Sequence, residues 1–293
     1  MWTASARSTM AASSSPLKAK PGRSGGPGSH AAAPGAAALA GTGEDASSLG
    51  RAKRVIRRII ALGNDRPSLV IRIACDVGAE ILENVRKPGD DLNSVDLSRH
   101  YQTSRTPVRE ALMLLEKEGL VEVAPRRRPR VILLSLPEVR EIYRVRAALL
   151  ELIAGDVALH ASDEDIAHLG SLVGAMQRHH EHGDLSGYIW ANVEFHDRNT
   201  QLANNRTAKR IIDSLLLRTL PLRRLSLSQP GRLGESLADH VHLVHAYEKR
   251  DPNLAAALIR FNHMTALATL ERVLGKAPPD AIARGSRPRG SRE

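Results

Sequence analysis

Ser104-Arg105-Thr106-Pro107-Val108-Arg109-Glu110-Ala111-Leu112 reads as a helix start aimed at an anion. Ser104 is a good N-cap, because a hydroxyl can accept an orphan first-turn N–H. Pro107 falls in the first turn, where a missing N–H costs little. Arg105 and Arg109 are four residues apart and share one helix face. Val108, Leu112, Leu114 and Leu115 supply a face to bury. Two arginines at a helix N-terminus oppose the macrodipole. That local cost makes sense if the helix end meets a DNA backbone or a base edge.

The flanks complete a small domain. Val70, Ile73, Val77, Ile81 and Leu82 recur at helical spacing and predict a helix over 69–85. Lys87-Pro88-Gly89-Asp90 ends it as a turn. A shorter helix is expected over 95–101 with Ser94 as its cap, then the turn Gln102-Thr103. The central helix runs to about Glu118 and stops at Gly119. Leu120 to Val123 and Arg130 to Leu134 read as strands around Ala124-Pro125-Arg126-Arg127-Arg128-Pro129. Three helices and a hairpin make a winged helix-turn-helix, whose second paired helix enters the major groove. Upstream, Arg51 to Leu62 is a short basic amphipathic helix, suited either to a phosphate backbone or to solvent.

The chain's 293 residues leave room for two domains. Residues 51–131 hold 17 Lys/Arg against 11 Asp/Glu, whereas 132–280 hold 17 against 18. A basic first module and a near-neutral second one suit a polyanion and some other ligand. Cys75, the single cysteine, excludes an internal disulfide framework and fits a reducing cytoplasm. No apolar run approaches the ~20 residues that cross a bilayer, so no membrane partner is expected. The start has no continuous apolar leader, so a secretory signal is not expected. Aromatic residues are 3% of the chain, which disfavours a single-strand binder that stacks bases.

Residues 1–50 and 277–293 are rich in Gly, Pro, Ser, Ala or Arg without period and read as disordered tails. Between them, 51–135 is the DNA-binding unit and 136–276 a second domain. Helical patterns run from Leu136-Pro137-Glu138 to about His160, then over 163–182, 184–205, 207–227, 232–249 and 251–274. Asp163, Asp184 and Asp251 sit at or near starts, which suits the helix dipole. The whole chain is therefore expected to be mainly α: a winged helix-turn-helix followed by a bundle of about six helices.

The run SRTPVREAL…LEKEGLV, within residues 88–135, resembles the DNA-binding domain of GntR-family bacterial transcription regulators. The resemblance implies that Arg105, Thr106 and Arg109 touch operator bases and phosphates while Ser104 helps position the helix. The family's wing carries a glycine after a basic residue. Here the tip is Arg126-Arg127-Arg128-Pro129-Arg130, which should favour phosphate attraction and a steep salt dependence.

Residues 138–274 are similar to the FCD effector domain of the FadR-type subfamily. Glu194-Phe195-His196, Asp239-His240, Asp251 and Ala255 carry that likeness. Many such domains hold a divalent metal, Zn, Ni or Mn, through one Asp and three His. The family's Asp position is Asn192 here, four before His196, and the third His position is Asn262, 22 after His240. His263 is adjacent, but one residue turns a side chain about 100°. The candidate metal set is therefore His196, His240 and His263, and the candidate effector set is Arg146, Asn192, His196, His240 and Asn262. Three readings stand beside each other: a metal completed by His263, a metal-free polar pocket for an organic acid, or a pocket without a ligand. Arg146 either holds a ligand carboxylate, as the resemblance implies, or pairs outside with Glu141 or Glu151. His242 and His245 point elsewhere on a helix than His240, and His179-His180-Glu181-His182 reads as a polar helix end.

These features predict a cytoplasmic, homodimeric regulator that binds a double-stranded, pseudo-palindromic operator. A small carboxylate effector would release it, as for a repressor. An enzyme in the bundle would need a general base near a metal, and Glu194 lies on a different face from His196. An architectural protein using basic tails would instead bind DNA without sequence preference.

Overall fold

A computed structural model describes residues 47–60 and 68–275, all within one packed unit. The expectations for the tails fall mainly outside these residues. One is corrected: helix α1 spans Ser48–Ile60, so residues 48–50 of the segment read as a tail are helical. The Ser47 hydroxyl starts it by accepting from the Gly50 amide. Ala52 and Ile56 are buried in α1, while Val55 and Ile59 are only partly covered.

Helix α2 spans Leu69–Leu82 and packs on α1. The approach is close, since a Cβ at Gly78 would lie 2.7 Å from Ile56 Cδ1. Asn84 has a φ of +60°, and this ends the helix before Val85. Helix α3 spans Ser94–His100, and its cap is Asn93 rather than Ser94. Helix α4, Arg105–Lys117, buries Val108, Ala111, Leu112 and Leu115. Ser104 holds the N-cap position, yet its side chain makes no capping hydrogen bond. Gly119, at φ +72°, closes the other end, where the Leu120 amide donates to the Leu115 carbonyl.

The wing is shorter than its alternation suggests. Strand β1 is Val121–Glu122 and β2 is Arg130–Val131, antiparallel with Val121 opposite Val131. Asp91 bridges Arg130 on the far side, so the turn after α2 lends an edge to the hairpin. Beyond Val131 the chain leaves the ladder, and Leu134 joins a core cluster with Val139, Tyr143 and Leu270 of the bundle.

Six helices then follow: α5 Leu136–His160, α6 Asp163–Glu181, α7 Leu185–Leu202, α8 Arg206–Leu227, α9 Arg232–Glu248 and α10 Pro252–Leu274. Local chemistry sets their starts. Ser135 with Glu138 and Ser162 with Asp165 form capping boxes, and Asp184, Asn205 and Asp251 are side-chain caps. Helix α10 lies along α5, α6 along α7, and α9 contacts both α10 and α6. The winged unit rests on this bundle through α1 against α7 and α2 against α8. Among the described residues no helix is long and apolar enough to cross a membrane.

Candidate functional site

Burying Val108 at 0% exposure turns the opposite face of α4 outward. Ser104, Arg105, Thr106 and Arg109 are all exposed at its N-terminal end. Among the described residues neither arginine has a hydrogen-bond or acidic partner. Their charge is therefore available to an external anion. Arg126, Arg127 and Arg128 are also exposed at the wing tip. Arg126 takes a φ of +62°. The backbone at the tip thus keeps a left-handed residue although the side chain is not glycine. Helix α1 behaves differently. Lys53 pairs with Asp76 at 2.7 Å and Arg58 with Asp197 at 3.0 Å, so part of its basic face is spent on packing within the chain.

The second site lies inside the bundle, in a small, partly open cavity of about 30 Å³. Its lining includes Tyr143, Arg146, Asn192, His196, Arg223, Arg232 and His263. Arg146 is 2% exposed, and its Nη1 has no partner. Glu151 is instead engaged by Arg260 at 2.7 Å. Arg232 is 3% exposed, with Nε and Nη1 lacking a hydrogen-bond acceptor, Nη1 3.8 Å from Glu235, and Nη2 donating to the Asn262 carbonyl. Arg223 donates to Asn192 Oδ1 at 2.7 Å. This contact fixes the amide orientation, so Asn192 Nδ2 is the group 3.0 Å from His240 Nε2.

The histidine tautomers follow from the same network. His240 Nδ1 donates to the Ser236 carbonyl at 2.6 Å, which leaves Nε2 as an acceptor. His196 Nε2 lies 3.4 Å away. His263 Nδ1 donates to the Ile259 carbonyl, and its ring lies 5.4 Å from that of His196. His263 thus joins His196 and His240, whereas the Asn262 side chain turns to Asp239 at 2.8 Å. Burial holds all three imidazoles below their ordinary value, His240 at about 4, and the nearby arginines add to this. At neutral pH the positive charge of the pocket therefore sits on its arginines. Burial and Arg146 bring Arg223 itself down to about 9.

Residues 69–131 match the profile described as bacterial regulatory proteins, gntR family, and residues 141–266 match the FCD domain. The chain belongs to the gntR family of bacterial regulatory proteins. This GntR regulator is 27% identical over 186 residues to the HTH-type transcriptional regulator YdhC of Bacillus subtilis, covering 62% of its own chain and 83% of YdhC. It is 25% identical to the gluconate operon transcriptional repressor of Bacillus licheniformis, over 62% of this chain and 74% of that one. The solved structure of E. coli McbR/YncC superposes with a TM-score of 0.59 at 26% identity, covering 71% of this chain and 99% of that one. GntR regulators bind DNA and small-molecule effectors, and both the domains and the relatives are those of regulators rather than enzymes.

The divalent metal that the resemblance implies does not suit the residues present. The one anionic position of the family set is the neutral Asn192, its oxygen already taken by Arg223. The His240 Nε2 lone pair accepts from Asn192. A dication would also face Arg146, Arg223 and Arg232. Among the described residues no three His, Cys, Asp or Glu side chains are grouped to hold a metal ion. The other histidines stand apart: His242 and His245 are exposed, and His179 ties the α6 end to Asp184 at 2.9 Å. Glu194 is exposed.

Sequence reasoning overlooked Arg223 and Arg232. A usable signal was present in α8, where Thr219, Arg223, Ser226 and Leu227 fall on one face and mark a polar stripe turned inward. The next residue, Arg224, serves a different purpose. It pairs with Glu83 at the end of α2, the two side chains being 12% and 6% exposed. Its Nε also donates to the Leu82 carbonyl, and Trp190 Nε1 donates to Glu83 at 2.7 Å. Helix α8 therefore touches both the pocket and the DNA-reading unit.

Proposed function

We propose that this GntR regulator is a ligand-responsive repressor that binds a pseudo-palindromic operator as a homodimer and is released by a small organic acid. The exposed, unpaired Arg105 and Arg109 at the start of α4 carry the DNA-reading half of this proposal. The gluconate operon relative is named a repressor, which supports the direction of control. An exposed apolar stripe supports the dimer. Val145 and Leu152 on α5 are each 49% exposed, and Phe261 on the adjacent α10 is 61% exposed. A two-fold dimer through this stripe would present two copies of α4 to two half-sites. Effector in the pocket would favour a domain arrangement that no longer matches both.

The test is selection of duplexes from a random-sequence library, followed by titration of wild type, Arg105→Ala and Arg109→Ala on the selected DNA. Each substitution is expected to cost roughly 1–3 kcal/mol if it removes a bidentate base contact. Undiminished affinity in both variants would sink the assignment. Unlabelled competitor DNA of unrelated sequence should fail to displace the wild type. Equal displacement would point to binding without sequence preference.

A further inference from the structure

We infer that the bundle pocket is a metal-free anion site whose effector carries two negative charges, taken directly by Arg146, Arg223 and Arg232. The inference rests on the reading of this pocket as the effector site and deepens it by naming the ligand class. Three guanidinium groups line one small cavity. Asp239, close enough to feel the Arg232 charge, is engaged by Asn262, and the exposed Glu235 pairs with Arg232 at 3.8 Å. Among the described residues neither Arg146 nor Arg223 pairs with a carboxylate, so two of the three cations are left to be met by a ligand.

The unpaired donors mark where that ligand sits. Arg146 Nη1 and Arg232 Nε and Nη1 are buried N–H groups without an acceptor. A buried donor left unmatched is costly, whereas a charged hydrogen bond to an oxyanion is strong. A planar fork suits the paired oxygens of a carboxylate or a phosphate. Asn192, standing where the family has its acid, accepts from Arg223 and donates to His240, and so holds the fork in place. In this chain the cationic role of the family's metal has passed to arginine side chains. A dicarboxylate and a phosphate present the same chemistry to such a pocket.

Calorimetric titration of the full chain in chelator-treated buffer, with succinate, inorganic phosphate and butyrate, tests the inference. Succinate or phosphate should bind at least about tenfold more tightly than butyrate, and which of them does identifies the oxyanion. Arg223→Gln should weaken the preferred dianion by at least about tenfold and move butyrate much less. Elemental analysis of protein purified without chelator should find no stoichiometric Zn, Ni or Mn. Butyrate binding as tightly as succinate, a requirement for added metal, or no binding by either dianion would each overturn the inference. A protein that still binds its selected duplex under any of these outcomes would keep the regulator reading and lose only the dianion pocket.

Discussion

His240 is the residue at which burial and charge act most plainly. The ring is 1% exposed, and its value falls from 6.5 to about 4. The folded value lies below the unfolded one, so the stabilisation is present above about pH 6.5 and is lost as pH falls toward 4. The difference corresponds to roughly 3 kcal/mol. The melting temperature should therefore drop over this window, and His240→Gln should flatten the drop. Equal pH dependence in the two proteins would contradict the neutral buried ring. Spacing put Asn192 and His196 on one face of α7, because positions four apart on a helix share a face, and the resemblance to the FCD domain added His240. It left His263 undecided and took Asn262 as a pocket contact. Asn262 does line the cavity, but its amide is held by Asp239, a partner one position before His240 that spacing alone does not reveal. At the wing tip Arg126 keeps the left-handed φ without a glycine. Arg126→Gly should therefore relieve about 1 kcal/mol of backbone cost while weakening DNA binding at low salt. Chemical denaturation and a salt titration of operator affinity read the two effects separately.

Among the elements, α8 joins the two halves. Arg218 packs against Gly119 beyond the end of α4, and Arg224 holds Glu83 at the end of α2. Glu83→Gln leaves the Arg224 charge buried beside a neutral partner, which should cost about 3 kcal/mol. A lower urea midpoint with altered operator affinity is the expected result. An unchanged midpoint would deny the contact a structural role. The six bundle helices were legible within a few residues, because their apolar period is long and their Asp and Ser caps are local. The wing was less legible. Its ladder is two residues per strand, and part of its pairing comes from Asp91, in a stretch that reads as a plain turn. Leu133 and Leu134 look like strand continuation, yet Leu134 is drawn away by the bundle core.

At the scale of the molecule, the stripe of α5 and α10 leaves Val145, Leu152 and Phe261 open to water. Leu152→Asp at its centre should convert a dimer to a monomer in sedimentation velocity and lower operator affinity by roughly a hundredfold, through loss of the paired half-site. An unchanged sedimentation coefficient would place the dimer contact elsewhere. The sequence could not place this stripe, because Val145 and Leu152 look like core positions until the bundle is assembled. The adjacency of Arg223 and Arg224 has a genetic consequence. In a reporter screen, changes at the first codon should give alleles deaf to inducer, and changes at the second should give alleles that never silence the promoter. Opposite phenotypes would then map to neighbouring triplets.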